Sequence, residues 1–198
     1  MDPDLPLMQA LQRGDDSVLN TLMDRHREAL FYFAYRYLRN ETAANDVVQE
    51  TFVRLYFKAA KFKPAATVKT WLYTIALNLC RDQIRRSHTW REACALDAAS
   101  GETIDATAKV RDPNAAPDIA AEKRDHYRLL QQAIDQLSPA LREAIILFSL
   151  EEKSQKEAAD ILGTSPKTVE LRIYHAKRKL KTLLENLLKP PSESPAGQ

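Results

Sequence analysis

The stretch SQKEAADILGTSPKTVELRIYHAKRKL, residues 154–180, predicts two short helices that meet at a tight turn. Ser154 followed by Glu157 is the pattern of a capping box, in which each residue satisfies a backbone N–H of the first helical turn. Ser165-Pro166 starts a second helix, because serine is a preferred N-cap and proline is tolerated at the first helical position. Gly163 stands between the two helices, where the chain must turn sharply.

The spacing of Ala159, Gly163 and Val169 is typical of a helix-turn-helix. A small residue is needed where the helices cross, a glycine opens the turn, and an aliphatic side chain locks the second helix onto the first. The inward stripe of the second helix consists of Val169, Ile173, Ala176 and Leu180. We therefore predict a helix-turn-helix over residues 155–174.

The second helix of this unit has an outward face that suits the major groove of DNA. Polar side chains can reach base edges there while cations contact phosphates. The predicted reading residues are Pro166, Lys167, Thr168, Glu170, Leu171, Arg172, Tyr174, His175 and Arg178. The alternative is an amphipathic surface helix with solvated charges, whose basic end suits the helix dipole. The glycine turn and the capped helix before it favour the DNA-reading interpretation.

The composition favours helices throughout the chain. The 198 residues include 44% hydrophobic side chains, and only 4 glycines stand beside 10 prolines, several of them at helix starts. The net charge of +2 says little by itself, but the charges are unevenly placed. Residues 1–90 carry 13 Lys+Arg and 10 Asp+Glu, residues 91–118 carry 3 and 6, and residues 119–198 carry 13 and 11. An acidic middle between two mildly basic ends predicts two modules and a connector.

Apolar residues recur with a three-four period, which predicts amphipathic helices on both sides of the connector. The N-terminal helices span about residues 16–38, 42–60 and 68–86, the last one capped by Thr67; helices resume over residues 119–137 and again from Ser138-Pro139. Between them the periodicity fails, and Pro113 and Pro117 rule out a continuous helix. The predicted fold is all-α, with two small helical domains joined by an extended linker. Its segments are residues 1–88, 89–118, 119–189 and a disordered tail, 190–198.

The second predicted helix has two faces. Its core stripe consists of Ala44, Val47, Val48, Phe52, Leu55 and Tyr56. Opposite this stripe, again at three-four spacing, stand Asp46, Gln49, Glu50, Val53 and Phe57. Carboxylates beside exposed apolar groups are typical of a docking surface for a basic, partly apolar partner. A merely solvated charged face is the alternative.

The third predicted helix also has a second face. It consists of Thr70, Tyr73, Leu77, Asn78, Arg81 and Arg85, with Arg86 alongside. Aromatic and basic groups interleaved on one face suit a separated nucleic-acid strand, with cations on the backbone and rings stacking on bases. A basic surface helix is the alternative. Trp71 belongs to the inward stripe, with Val68, Leu72, Ile75, Ala76 and Leu79, although its ring could also stack.

The two cysteines indicate neither a disulfide framework nor a metal site. Cys80 lies in an apolar helical stripe and is predicted to be a small core residue. Cys94 lies six positions from His88, which leaves a redox or metal role open on weak grounds. We predict no cofactor and no bound metal. No run is long and apolar enough to span a bilayer and the N-terminus lacks a signal pattern, so we expect a cytoplasmic protein without membrane insertion.

Several longer segments resemble the bacterial sigma factors of RNA polymerase. NDVVQETFVRLY (45–56) and KTWLYTIALNLCRDQIRR (69–86) resemble the second conserved region of that family. LSPALRE (137–143), together with the helix-turn-helix, resembles the fourth region. With only these two regions and a linker, the chain is similar to the extracytoplasmic-function group, over residues 16 to 188.

The resemblance implies a role for each predicted surface. Asp46, Gln49 and Glu50 match the DxxQE segment that docks on a coiled coil of the polymerase β′ subunit. The loop 63–70 and the third helix match the segment that captures the melted −10 element and holds a flipped base. The −10 set is Lys63, Lys69, Thr70, Trp71, Tyr73, Asn78, Arg81, Arg85 and Arg86. The helix from Pro166 matches the reader of the −35 element and would lie near the β flap.

The implied function is a dissociable specificity subunit, not an enzyme, which binds core polymerase and promoter DNA and is held by an anti-sigma factor. Two departures from the family pattern stand out. Asn45 replaces a common acidic residue, and Glu170-Leu171 replaces a Lys or Arg followed by Ser. We expect docking to survive both departures and promoter choice to differ.

Two other functional classes compete with this interpretation. A stand-alone helix-turn-helix regulator would bind an operator tightly without polymerase and would not need the second face of the second helix. A helical nuclease could hold a metal with Asp46 and Glu50, which share one helical face. No histidine or further carboxylate converges on that pair in the sequence.

Overall fold

The computed structural model describes residues 2–97 and 119–188, with side chains over residues 2–87 and 127–188. Within these ranges the chain is helical and has no strand, which confirms the all-α prediction. The helices are α1 (Leu5–Gln12), α2 (Val18–Leu38), α3 (Glu41–Lys58), α4 (Val68–Asp97), α5 (Ile119–Asp135), α6 (Pro139–Ile145), α7 (Gln155–Leu162) and α8 (Pro166–Leu188). A 3₁₀ turn (Ala59–Lys61) follows α3, and a π turn (Ile146–Leu150) follows α6. Residues 98–118, the tail 190–198, and the side chains of His88 and Cys94 lie outside the described part.

The chain divides into two compact units, one built from α1 to α4 and one built around α5, α6 and α8. In the first unit α2, α3 and α4 pack on one another in pairs. Its core holds Leu22, Leu30, Leu55 and Leu72, none of which is exposed. Cys80 is buried among them, as predicted.

Local signals explain the boundaries of α2 and α3. Arg39 adopts a left-handed conformation with φ of 59°, which ends α2 at its C-terminus. Asn40 then caps α3, because its Oδ1 accepts a hydrogen bond from the backbone N–H of Ala43 at 2.8 Å. One predicted core position was wrong. Tyr56 is 39% exposed and donates its hydroxyl to the carboxylate of Asp16 at 3.2 Å.

Helix α4 begins at the predicted residue but ends later than predicted. Thr67 Oγ1 accepts a hydrogen bond from the N–H of Thr70 at 3.1 Å, and the Asp2 carboxylate accepts one from the N–H of Val68 at 2.7 Å. The helix continues to Asp97, past the predicted end at Arg86. Residues 87–97 contain no Gly or Pro and several strong helix formers, so the helix continues after its apolar stripe has ended.

Helix α1 was not predicted from the sequence. It is short, but it buries Met8 and Leu11. The Gln12 side chain donates to the carbonyls of Ala59 and Phe62, at 2.9 and 3.1 Å, and so satisfies backbone acceptors after the end of α3. The helix was missed because eight residues are too few to establish a three-four period.

A buried carboxylate fixes the segment before α1 to α2. Asp4 Oδ1 accepts from Arg25 Nη1 at 2.8 Å, and Asp4 Oδ2 lies 2.7 Å from His26 Nε2. Burial raises the pKa of the Asp4 carboxyl, but the hydrogen bonds from Arg25 and His26 outweigh it, so the net pKa lies below the ordinary value of 3.8. A carboxyl with a lowered folded pKa stabilises the fold above its unfolded pKa and loses this contribution as the pH falls through the folded value.

We expect Asp4→Ala to lower the free energy of unfolding at pH 7 by about 1–3 kcal/mol, because it leaves the buried His26 ring without its partner and removes the ion pair with the half-exposed Arg25. The difference between variant and wild type should shrink as the pH falls below 3.8 and through the lower pKa of folded Asp4, because the wild-type carboxylate then becomes protonated. Urea unfolding at pH 7 and pH 3 measures both effects. Asp24→Ala, at an exposed position of α2, is the control. An equal loss at both pH values would contradict the assignment of the ion pair.

In the second unit α5 and α6 pack on α8. Helix α6 begins at Pro139 as predicted, although Ser138 contributes its backbone carbonyl rather than its side chain. That carbonyl accepts from the N–H groups of Leu141 and Arg142 at 3.0 and 2.9 Å. The core of this unit includes Ile134, Ile146 and Leu147, each no more than 2% exposed.

Candidate functional site

The predicted docking residues all lie on the solvent side of α3. Phe57 is 78% exposed and Val53 is 47% exposed, while Asp46 and Gln49 also face solvent. Glu50 is half-buried, and its Oε1 accepts from Arg54 Nε at 2.8 Å. Val53, Tyr56 and Phe57 together expose apolar surface on one side of α3, beside the carboxylates. We call this set (Asp46, Gln49, Glu50, Val53, Phe57) the docking face.

Tyr56 lies at the edge of the docking face. Its ring meets the ring of Phe57 edge to face, with centroids 5.3 Å apart. The hydrogen bond to the Asp16 carboxylate and the negative charge of that group raise the pKa of the Tyr56 hydroxyl. The Tyr56 ring thus lies between the Asp16 carboxylate and the aromatic end of the docking face.

The predicted second face of α4 is only partly a surface. Lys63, Lys69, Asn78, Arg81, Arg85 and Arg86 are exposed. Thr70, Tyr73 and Leu77 are buried, at 6%, 2% and 0% exposure, so their assignment to an outer face was wrong. The Tyr73 ring packs on Phe33 of α2 with centroids 5.1 Å apart. Because α4 packs on both α2 and α3, a second apolar stripe on this helix belongs to the core.

Trp71 lies at the edge of the basic surface of α4. It is half-buried, and its ring packs on Phe62 with centroids 5.3 Å apart. Further along the helix, two arginine side chains are held by contacts within α4. Arg81 donates to Asn78 Oδ1 at 3.2 Å, and Arg85 donates to Asp82 Oδ1 at 3.0 Å. The exposed strip of α4 thus presents oriented guanidinium groups with one aromatic ring at its border.

The helix-turn-helix is built as the sequence predicts. Ser154 donates its N–H and its hydroxyl to Glu157 Oε2, at 2.9 and 2.7 Å, and Glu157 N–H donates back to Ser154 Oγ at 3.2 Å. Gly163 adopts φ of +63°, a conformation that favours glycine. The N–H of Thr168 donates to Ser165 Oγ at 3.1 Å, which caps α8.

The two faces of α8 separate clearly. Val169, Ile173, Ala176 and Leu180 are all buried, as predicted. On the opposite face Leu171 is 49% exposed and Tyr174 is 61% exposed. Lys167, Glu170, His175 and Arg178 are exposed, Pro166 begins the helix in an exposed position, and Thr168 and Arg172 are half-buried.

Two contacts restrict side chains on the outward face of α8. Lys167 Nζ lies 3.1 Å from Glu170 Oε2, so the acidic residue is partly neutralised. The rings of Tyr174 and His175 meet edge to face at 5.5 Å. Glu170, which is out of place on a surface that would face phosphates, therefore carries its own counter-charge.

The outer face of α2 carries an aromatic and arginine ladder that the sequence analysis did not single out. The Phe31 and Tyr35 rings stack at 6.1 Å, and the Arg36 and Arg39 guanidinium groups lie over Tyr32 and Tyr35 at 5.9 and 5.7 Å. The available signal was the repetition of aromatic and basic residues four positions apart, outside the apolar stripe of the helix.

In the described part of the chain no group of three or more His, Cys, Asp or Glu side chains is placed to hold a metal ion. The pair Asp46 and Glu50 therefore gains no third ligand there. Nor does any described helix combine the length and the apolar character needed to cross a bilayer.

Comparison with known proteins places both units in one family. Residues 22–91 match the model of Sigma-70 region 2, and residues 127–180 match that of Sigma-70, region 4. RNA polymerase sigma factor NccH of Alcaligenes xylosoxydans xylosoxydans is 33% identical over 183 residues, which cover 92% of this chain and 95% of that protein. ECF RNA polymerase sigma factor SigW of Bacillus subtilis is 29% identical over 182 residues, covering 91% of this chain and 96% of that protein.

Two solved structures are similar over most of the chain. CnrH in complex with the cytosolic domain of CnrY has a TM-score of 0.68 at 29% identity and covers 93% of this chain and 99% of that chain. The sigma factor RpoE in complex with the anti-sigma factor NepR from Bartonella quintana has a TM-score of 0.63 at 27% identity, with coverages of 84% and 96%. Two region matches in the expected order, with relatives that align over nearly their whole length, agree with the resemblance found in the sequence. The chain belongs to the extracytoplasmic-function group of RNA polymerase sigma factors.

Proposed function

We propose that this sigma factor docks on the β′ coiled coil of core RNA polymerase through the docking face of α3. The observation that carries the proposal is the exposure of Phe57 and Val53 beside Asp46 and Glu50, on a helix whose opposite face carries a buried stripe. Apolar contact supplies affinity, and the carboxylates select a basic partner helix and set its position.

The exposed strip of α4 is proposed to hold the separated −10 strand. Lys63 and Lys69 lie before and at the start of the helix, and Asn78, Arg81 and Arg85 continue along it. Cations contact the sugar-phosphate backbone, and the half-buried Trp71 can stack on one base. Thr70 and Tyr73 take no part in this surface, because their side chains are buried. Their role is to hold α4 in place.

The outward face of α8 is proposed to read the −35 element in the major groove, next to the β flap. Leu171 reads by apolar contact, for which a thymine methyl is the natural target. Arg172 and Arg178 contact a base edge or phosphates, while Tyr174 adds a hydroxyl donor. The Lys167–Glu170 pair limits the electrostatic attraction of this helix for DNA in general and so favours a matched site.

The chain is proposed to act as a dissociable subunit in the cytoplasm and not as an enzyme, since phosphodiester chemistry belongs to the polymerase. With a net charge of only +2, each DNA-binding surface is expected to bind weakly alone. Fixed on one scaffold, the two surfaces add their contributions, because the second contact becomes intramolecular.

We further propose control by an anti-sigma protein. One similar structure contains such a partner, because RpoE is bound there to the anti-sigma factor NepR, and in another CnrH is bound to the cytosolic domain of CnrY. A protein partner that covers the docking face, with its exposed aromatic ring, would keep the chain from polymerase and would prevent non-specific association.

Run-off transcription on a library of promoters tests this function. Core polymerase with the purified chain should initiate from a small subset of templates, and core polymerase alone should not. A stand-alone regulator would instead bind an operator tightly without polymerase and would add no initiation. Tight operator binding together with absence of initiation would contradict the proposal.

The same run-off transcription assay measures the effect of Leu171→Ala. The loss of one apolar base contact, worth about 1 kcal/mol, should reduce initiation about fivefold at promoters carrying the preferred −35 base. Promoters with a substituted base at that position should be affected less. Leu187→Ala, at another exposed leucine of α8, is the control. A uniform loss across all promoters would contradict a reading role for Leu171.

A further inference from the structure

A groove of about 450 Å³ runs between α3 and α4. It is lined by Asp46, Val47, Gln49, Glu50, Val53 and Arg54 of α3, and by Leu79, Asp82, Gln83 and Arg86 of α4. Val47 and Leu79, at 2% and 7% exposure, form its floor. The lining residues of each helix recur at three-four spacing, so α3 forms one wall of the groove and α4 forms the other. Only the α3 wall was predicted from the sequence.

Some charged side chains of the two walls form ion pairs within their own helix, and others do not. Glu50 is paired with Arg54 at 2.8 Å, and Asp82 with Arg85 at 3.0 Å, each within its own helix. Asp46 on the α3 wall and Arg86 on the α4 wall form no ion pair with any residue of the described part of the chain. They are the two charges of the groove that remain available to a partner.

Asp46 and Arg86 lie toward the same end of the groove. Helices α3 and α4 are consecutive, pack on each other and are joined by the short segment 59–67, so we infer that they run in opposite directions. Asp46 is near the start of α3, and Arg86 is more than halfway along α4, so both lie away from the connection. One negative and one positive side chain thus flank the same end of an apolar-floored channel.

We propose that this groove is the seat of one helix of core polymerase, and that Arg86 is a docking residue that contacts a carboxylate on that helix. The inference rests on the proposed docking role of α3 and extends its surface to α4. A helix laid in a groove is held by apolar anchors, here on Val53, Val47 and Leu79. A partner with a cation toward Asp46 and a carboxylate toward Arg86 matches both walls, and this pairing fixes which way the helix lies.

The proposal moves Arg86 out of the predicted promoter surface. On α4, Arg86 follows Leu79 by seven residues and Asp82 by four, so it shares their stripe in the groove. Arg81 is five residues from Arg86, which places it about 140° around the helix. The two arginines therefore serve different partners, with Arg86 on polymerase and Arg81 on the melted strand.

Binding of the full-length chain to core polymerase without DNA, followed by fluorescence anisotropy, tests the assignment. Arg86→Glu should raise the Kd for core polymerase about tenfold at low salt, and Arg86→Ala about threefold, with smaller effects at high salt. Arg27→Glu, which makes the same charge change at an exposed site of α2 outside the groove, should stay within about twofold of wild type. Thermal melting of each variant shows whether it folds. If Arg86→Glu does not fold, the binding affinity of Arg86→Ala decides the assignment.

The possible outcomes separate this inference from the function on which it rests. Suppose that both Arg86 variants bind core polymerase as the wild type does, while Asp46→Lys binds more weakly. This result would contradict the docking role of α4 and would leave the docking role of α3 in place. Unchanged binding by all three would overturn both. An equal loss in Arg86→Glu and Arg27→Glu would indicate a long-range charge effect and would also overturn the assignment.

Promoter opening gives a second readout. At saturating concentrations of the chain, Arg86→Glu should recover wild-type opening, because its defect lies in assembly. Arg81→Glu should remain defective at saturation, because its defect lies in the assembled complex. A persistent opening defect in Arg86→Glu would return this residue to the promoter surface.

Discussion

Tyr73→Ala is expected to lower the free energy of unfolding of the N-terminal unit by about 3–5 kcal/mol, the range for removing a buried aromatic ring. Tyr73 is 2% exposed and packs on Phe33, which is not exposed at all. Truncation leaves a cavity between α2 and α4 that neither helix can close without losing its own contacts. Urea denaturation followed by circular dichroism measures the loss.

Tyr32→Ala is the matched control, because Tyr32 is also a tyrosine of this unit but is 42% exposed on α2. Its cost should be below about 1 kcal/mol. If Tyr73→Ala kept wild-type stability but lost promoter opening, Tyr73 would be a stacking residue after all, and the buried position described above would be contradicted.

The double variant Asp46→Lys, Glu50→Lys is expected to weaken binding to core polymerase at least about 100-fold, which corresponds to about 2.7 kcal/mol. It replaces both carboxylates of the docking face and also places a lysine beside Arg54, which now pairs with Glu50 at 2.8 Å. Both positions lie on the solvent side of α3, so stability should change by less than about 1 kcal/mol. Anisotropy with labelled chain and core polymerase measures the affinity.

Asp24→Lys, Glu28→Lys makes the same double reversal, at the same spacing, on the exposed side of α2. It should bind core polymerase within about threefold of wild type, since long-range charge effects are largely screened. Comparable losses in the two double variants would mean that net charge, and not the docking face, governs assembly.

The sequence was sufficient where a helix buries a single stripe of side chains. In α8 the stripe Val169, Ile173, Ala176 and Leu180 is buried, and the cap residues Ser154 and Ser165 make the predicted hydrogen bonds. These features depend on neighbours three or four positions apart, which a sequence displays directly. The outward residues of α8 could therefore be identified as those outside the buried stripe.

The sequence was insufficient where a helix buries two stripes of side chains, as α4 does against α2 and α3. In α4, Tyr73 and Leu77 form a second apolar stripe that looks like an outer face until α2 is placed against it. The position of Arg86 could not be predicted from the sequence for a similar reason. Periodicity assigns it to a basic face, and only the packing of α3 beside α4 brings it into the groove with Asp46. Both assignments depend on contacts that are distant in sequence.

Site-specific photo-crosslinking from the docking face tests the central claim most directly. A photo-reactive phenylalanine analogue in place of Gln49, which is exposed on α3, should crosslink to the β′ subunit in the assembled holoenzyme, within the coiled coil. The same probe at Arg27 of α2 should give no β′ coiled-coil product. A crosslink from position 49 to promoter DNA or to the β flap, with none to β′, would contradict the account.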